Sequence, residues 1–128
     1  MKRVAVAFAP AALYAAVIFA LSAQAHPLPF LPQGFFTHDK LLHLLEYAVL
    51  GALLAPALRL AGMSPRGALL AAAILGSLYG ATDELHQAFV PGRTADVLDW
   101  VADTLGAGLG ALLGSATYVA LRRPGRAG

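Results

Sequence analysis

The sequence predicts an all-α polytopic membrane protein, in which four transmembrane helices form one compact bundle within a single domain, residues 1–128. Three observations predict this fold class: the composition, the length of the apolar runs and the distribution of basic residues. Hydrophobic residues make up 59% of the chain before glycine is counted, and charged residues only 12%. Typical soluble domains have about 45–50% apolar residues with glycine included and about 25% charged residues. This composition excludes both an ordinary soluble domain and a disordered chain.

The apolar residues fall into four runs, at about residues 4–23, 41–60, 67–87 and 96–121. Each is close to the roughly 20 residues that a transmembrane helix needs. The second run contains Pro56, which predicts a kink. No cysteine is present, so disulfides, cysteine-ligated metal centres and a thiol nucleophile are excluded.

The first run has an alternative interpretation as a signal peptide. It follows Lys2 and Arg3, and it ends near the small-residue pattern Ala23-Gln24-Ala25. The apolar run is longer than the usual h-region of about 7–15 residues, which favours a retained transmembrane helix. Residues 24–38 follow, and their prolines and Gly34 predict an irregular loop.

The basic residues predict the orientation. With four crossings, seven of the nine lie on one side of the membrane: Lys2, Arg3, Arg59, Arg66, Arg122, Arg123 and Arg126. The positive-inside rule makes this side cytoplasmic, so both termini are predicted to be cytoplasmic, in the cell membrane. Because the basic residues are accounted for in this way, nucleic acid is not an expected partner.

The acidic residues point to a functional site. All seven lie in, or next to, the outer turns of the second, third and fourth runs. A carboxylate within a span costs about 2.5–3.5 kcal/mol at the membrane centre and less near the interface. Several carboxylates near one face of the membrane therefore indicate a polar pocket at the extracytoplasmic side.

The second run opens with the polar residues Asp39, Lys40, His43, Glu46 and Tyr47. At helical spacing Asp39 and His43 share a face with either Glu46 or Tyr47. A structural interpretation is that Asp39 caps the helix while Lys40 and Tyr47 lie at the membrane interface. That interpretation leaves Glu46, which lies inside the span, unexplained, so we expect Glu46 to face the bundle.

The third run ends in Asp83, Glu84, His86 and Gln87. Carboxylates at a helix C-terminus oppose the helix dipole, so a positive group should compensate them. Arg93, just past the Pro91-Gly92 break, is the nearest candidate, and Lys40 and a bound cation are the others. Asp83 and Gln87 share a face that continues through Gly80 and Gly76.

The fourth run opens with Asp96, Asp99 and Asp103. Asp96 also fits a helix cap. Asp99 and Asp103 share a face with a ridge of small residues, which predicts a helix-packing surface and directs both carboxylates into the bundle. The ridge consists of Gly106, Gly110 and Gly114.

Four strings in order resemble the VanZ-like family. They are Leu21-Ser22-Ala23-Gln24, Asp39-Lys40-x-x-His43-x-x-Glu46-Tyr47-x-x-Leu50-Gly51, Asp83-Glu84-x-x-Gln87-x-Phe89-x-Pro91-x-Arg93-x-x-Asp96-x-x-Asp99, and Asp103-x-x-Gly106-x-x-x-Gly110. Asp103 and Asp96 stand where many members carry Asn and Ser, which predicts a more acidic site. The resemblance implies a small polytopic membrane protein; the founding member is associated with low-level resistance to the glycopeptide teicoplanin.

Three function classes are open at this stage. The first is a non-catalytic envelope protein whose pocket binds a lipid, a cell-wall intermediate or an amphiphilic compound; no Ser-His-Asp set is evident in the sequence. The second is a metal-assisted intramembrane hydrolase or transferase, and the third an ion-coupled transporter. The expected partners are membrane lipid and such a ligand. No cofactor is expected under the first class; under the second, a divalent metal has the candidate ligands His43, Glu46, Asp83, Glu84, His86, Asp99 and Asp103.

Overall fold

The structure is a computed structural model that describes residues 1–24 and 39–122, except for the side chain of residue 39. The described residues form four helices and no strand: α1 (Lys2–Ser22), α2 (Asp39–Leu60), α3 (Pro65–Gln87) and α4 (Val97–Arg122). Each helix is long and apolar enough to cross a membrane. The all-α, four-helix membrane bundle is thus confirmed. The loop predicted for residues 24–38 lies, after Gln24, outside the described residues.

Local sequence explains where the helices begin and end. Gly62, with a φ of 97°, makes the turn after α2, a conformation that side chains with a Cβ rarely adopt. Ser64 then caps α3 by accepting a hydrogen bond from the Gly67 amide at 3.0 Å, and Pro65 follows at the first helical position. Despite Pro56, α2 continues to Leu60.

The glycine ridge of α4 lies directly against the backbone of α2. A Cβ added at Gly106, Gly110 or Gly114 would overlap a backbone carbonyl of α2. The three carbonyls belong to Leu44, Ala48 and Ala52, respectively. Small residues therefore let the two helix backbones approach closely, which is the usual basis of helix association in membranes.

Large and small hydrophobic residues are segregated in the bundle. Much of the buried apolar core is alanine, including Ala55, Ala68, Ala72, Ala107 and Ala111, whereas many large side chains point outward. Exposed leucines and isoleucines include Leu70, Ile74, Leu78, Leu105, Leu109 and Leu112. An apolar exterior of this extent matches lipid rather than water, so the outward faces contact membrane lipid.

The two ends of the bundle differ in charge. The start of α2, the end of α3 and the start of α4 meet at one end, which carries the acidic residues and is called the polar end below. The opposite end holds Arg59 and Arg122, whose guanidinium groups lie 5.4 and 5.2 Å from the ring centroid of Tyr118. The candidate site therefore lies at the polar end.

Candidate functional site

Carboxylates from three helices meet at the polar end. Glu46 lies on α2, Asp83 and Glu84 lie on α3, and Asp99 and Asp103 lie on α4; these five form the acidic cluster. The exposed fractions of Asp83, Glu84, Asp99 and Asp103 are only 7, 8, 6 and 0%. Buried carboxylates at this density need positive charge or hydrogen-bond donors close by.

His43 connects α2 to both carboxylates of α4. Its Nδ1 lies 2.8 Å from Oδ1 of Asp103, and its Nε2 lies 3.6 Å from Oδ2 of Asp99. Both ring nitrogens thus face carboxylates, to which an imidazole N–H can donate. His43 is therefore one of the groups that compensate the acidic cluster.

Lys40 is the second compensating group. Its Nζ lies 2.5 Å from Oδ1 of Asp99 and 2.8 Å from Oδ2 of Asp96. The ammonium group is partly exposed, so Lys40 marks the edge of the acidic cluster rather than its centre.

Asp96 joins three elements just before α4 begins. Its Oδ1 accepts a hydrogen bond from the Leu98 amide at 2.9 Å and caps the helix, as one interpretation of the sequence expected. Its own amide donates to Oε2 of Glu84 at 2.9 Å. The hydrogen bond from Lys40 lowers the pKa of the Asp96 carboxyl below its ordinary value. Asp96 is therefore ionised at neutral pH.

Tyr47 is fully buried, and its hydroxyl donates to Oδ2 of Asp83 at 3.2 Å. The interpretation that placed Tyr47 at the membrane interface is therefore wrong. Tyr47 lies one turn after His43 on the same face of α2, so it points inward with His43. Asp39 begins α2, but its side chain lies outside the described part of the structure.

Gly80 makes room for the most deeply buried carboxylate. A Cβ added at Gly80 would lie 2.9 Å from Cβ and 3.0 Å from Oδ2 of Asp103. The small-residue face predicted on α3 thus accommodates a polar side chain as well as a helix contact.

Arg93 does not pair with the carboxylates of α3, for which the sequence made it the nearest candidate, although its charge acts on Glu46 from a distance. Its guanidinium donates to the backbone carbonyls of Gln24 at 2.8 Å and Leu21 at 3.5 Å, and it forms no ion pair with the described carboxylates. The last carbonyls of a helix lack donors within the helix and carry the negative end of its dipole, so they attract a cation. Arg93 therefore holds the end of α1.

Gln87 and His86 also face α1. Nε2 of Gln87 donates to the buried hydroxyl of Ser22 at 3.0 Å. The ring of His86 stacks on Phe19, with centroids 4.6 Å apart. The sequence made His86 a candidate metal ligand. Among the described residues, two groups of side chains have ligand atoms close enough to share a metal ion, and His86 belongs to neither.

The polar role of α1 could not be read from the sequence, which presented this helix as a simple membrane anchor. Tyr14 donates to the carbonyl of Glu46 at 2.9 Å, and Tyr79 of α3 donates to the carbonyl of Ala15 at 2.5 Å. A tyrosine in the middle of an apolar run was the available signal for the first of these contacts. Together with Ser22, they attach α1 to α2 and α3.

Two groups of side chains offer closely spaced ligand atoms, within 4.8 Å of one another: His43–Glu84–Asp99 and Asp83–Glu84–Asp103. No donor among the described residues reaches Oε1 of Glu84 or Oδ2 of Asp103, although both atoms are buried. Such oxygens can accept hydrogen bonds from a ligand or coordinate a cation.

A groove of about 380 Å³ opens between α3 and α4 beside the acidic cluster. Apolar residues form most of its lining, and the side chains of Glu84 and Asp96 form its polar part. The apolar lining consists of Ala81, Leu85, Ala88, Ala95, Val97 and Trp100. The groove thus combines mostly apolar walls with two carboxylates, Glu84 and Asp96.

The serine hydroxyls of the described residues are not arranged for nucleophilic catalysis with His43. Ser22 pairs with Gln87, and Ser77 shares a hydrogen bond of 2.8 Å with Thr104.

Comparison with known proteins assigns the family. The model of the VanZ/LLP1 family matches residues 6–118 of the 128-residue chain. No curated protein and no solved structure matches the chain. The family match covers most of α1, all of α2 and α3 and most of α4, including the whole acidic cluster. The chain therefore belongs to the VanZ/LLP1 family of membrane proteins.

Proposed function

We propose that the protein is a non-catalytic membrane protein that binds an amphiphilic compound at its polar end. The apolar part of the compound lies in the groove between α3 and α4, and its head group meets Glu84 and Asp96. The observation that carries this proposal is the groove itself, since Glu84 and Asp96 are the two charged residues in its otherwise apolar lining. Ligand sites commonly combine apolar walls with a few placed polar groups.

Charge favours a head group with ammonium or hydroxyl donors. The carboxylates of the acidic cluster and Asp96 outnumber their positive partners Lys40 and His43. Walls of low dielectric focus this excess negative charge, which attracts cations. Amphiphiles that combine an apolar chain with a cationic or donor-rich head group therefore fit the proposal.

Trp100 provides a direct test, because it lines the groove and is the only tryptophan of the chain. A brominated long-chain alkylammonium, added to purified protein in nanodiscs with EDTA, should quench the Trp100 fluorescence in a saturable manner. A brominated alkyl sulfate with the same chain should quench only weakly. Asp96→Asn keeps a capping side chain but removes the charge, and should weaken alkylammonium binding about tenfold or more.

The groove has a matched pair of control variants. Ala81→Phe fills the groove and should abolish saturable quenching. Ala116→Phe adds the same ring to an exposed position of α4 outside the groove, and should leave quenching unchanged. Equal, non-saturating quenching by both head groups would show ordinary lipid contact and would contradict the proposal.

The orientation of the polar end is a second part of the proposal. The positive-inside rule places both termini in the cytoplasm and the polar end outside. Reporter fusions after Leu60 and after Arg123 should then both report the cytoplasm, whereas a fusion after Gln33 should report the extracytoplasmic side. A cytoplasmic signal at Gln33 would reverse the bundle and exclude a ligand from the outer leaflet.

A further inference from the structure

We propose that Asp83, Glu84 and Asp103 bind one hard divalent cation, of the Mg²⁺ or Mn²⁺ class, at the centre of the acidic cluster. This site goes beyond the proposed function, since its three ligands come from α3 and α4 and none of them requires an amphiphile in the groove. One carboxylate oxygen from each residue lies within 4.8 Å of the other two. All three side chains are more than nine-tenths buried.

Each of the three carboxylates has one oxygen held by a donor of the protein. Tyr47 donates to Oδ2 of Asp83, and the Asp96 amide donates to Oε2 of Glu84. His43 contacts Oδ1 of Asp103 at 2.8 Å. A carboxylate that binds a metal through one oxygen is typically oriented in this way through outer hydrogen bonds.

The remaining oxygens are the second observation that points to an ion. Oε1 of Glu84 and Oδ2 of Asp103 are buried, and no donor of the described residues reaches them. A buried acceptor without a partner is unfavourable. A cation between these two atoms would satisfy both.

The donor chemistry favours a hard cation at this group over the alternative group, His43–Glu84–Asp99. In the alternative, Nδ1 of His43 is already engaged by Asp103 at 2.8 Å, and the imidazole would bring a nitrogen ligand, which suits Zn²⁺ and Cu²⁺. The proposed group supplies carboxylate oxygens alone, which suit Mg²⁺, Mn²⁺ and Ca²⁺ better than Zn²⁺ or Cu²⁺. A divalent cation also offsets the excess negative charge of the acidic cluster.

Mn²⁺ is the probe for the experiment, because its free form is measured directly by electron paramagnetic resonance. The full chain is purified in detergent, stripped with EDTA and titrated with Mn²⁺. We expect one saturable site per chain, a rise in the temperature of thermal unfolding, and competition by Mg²⁺. Asp103→Asn and Glu84→Gln should each weaken Mn²⁺ binding at least about tenfold, while thermal unfolding without metal shows that each variant is folded.

Glu46→Gln is the matched control. It removes one titratable carboxyl group from the same acidic cluster, but Glu46 lies outside both groups of closely spaced ligand atoms. Glu46→Gln should bind Mn²⁺ with an affinity within a few-fold of the wild type. Asp96→Asn should keep Mn²⁺ binding while it loses the quenching of Trp100 by the brominated alkylammonium.

Three results would overturn the assignment. Wild-type protein that binds no Mn²⁺, and unfolds at the same temperature with and without it, would show that protons alone neutralise the cluster. Equal weakening by Glu46→Gln and Asp103→Asn would show diffuse attraction without a built site. A preference for Zn²⁺ that is lost in His43→Ala would place the ion in the alternative group. Because the quenching assay contains EDTA, either proposal can fail while the other holds.

Discussion

Gly110→Val should destabilise the bundle by at least about 3 kcal/mol, at or beyond the upper end of the usual cost of overpacking. A Cβ at position 110 would overlap the backbone carbonyl of Ala48, and it would also crowd the Cα of that residue. A flexible side chain can move aside, but a helix backbone cannot do so without separating α2 from α4. Because these two helices form the most extensive contact of the bundle, the loss should be global.

Gly108→Val is the control for this prediction. It makes the same substitution half a turn away, where no heavy atom lies within 4 Å of the added Cβ. Unfolding in mixed micelles of increasing SDS content, followed by circular dichroism, should give a midpoint near that of the wild type. If the two variants unfold at the same midpoint, the close backbone contact does not stabilise the bundle.

His43→Ala should cost about 3–5 kcal/mol, the usual penalty for removing one partner of a buried ion pair. The substitution takes away the donor that lies 2.8 Å from Oδ1 of Asp103, whose side chain is fully buried. It also removes the imidazole that lies 3.6 Å from Asp99, although Lys40 keeps its contact with that carboxylate at 2.5 Å. The same SDS unfolding assay, in the presence of EDTA, measures the effect without a bound ion.

His86→Ala is the matched control, because this histidine stacks on Phe19 and does not contact the acidic cluster. Its loss should cost about 0.5–1.5 kcal/mol, the typical value of an aromatic pair. The double variant His43→Ala/Asp103→Ala should recover part of the stability lost in His43→Ala, since the unpaired carboxylate is gone as well. Strictly additive losses in the double variant would contradict a coupled pair.

Helix periodicity was sufficient to predict which faces point inward. Asp99 and Asp103 share a face with Gly106, Gly110 and Gly114, and the structure directs that face into the bundle. The prediction succeeded because a spacing of four residues is set by local helix geometry and does not depend on neighbouring helices.

The partners of the polar groups could not be predicted in the same way. Arg93 was the nearest candidate to compensate the carboxylates of α3, but its guanidinium binds the end of α1. Tyr47 was a candidate for the polar pocket with the membrane interface as the alternative, and its hydroxyl binds Asp83. His86 is close to Glu84 in sequence, yet their side chains serve different neighbours. Each of these choices depends on how helices distant in sequence are rotated and spaced.

The sequence by itself determined that this protein is a four-helix membrane bundle with its acidic residues at one end. Composition, run length and helical spacing are local properties, and in a membrane they leave few other folds available. Only the tertiary structure decided that Lys40 and His43 contact the buried carboxylates. It also decided that Glu84 and Asp103 each keep a buried oxygen without a donor. The groove lined by Glu84 and Asp96 likewise appears only in the tertiary structure. Those features depend on distances of a few ångströms between separate helices, which are set by how the small residues of α2, α3 and α4 pack.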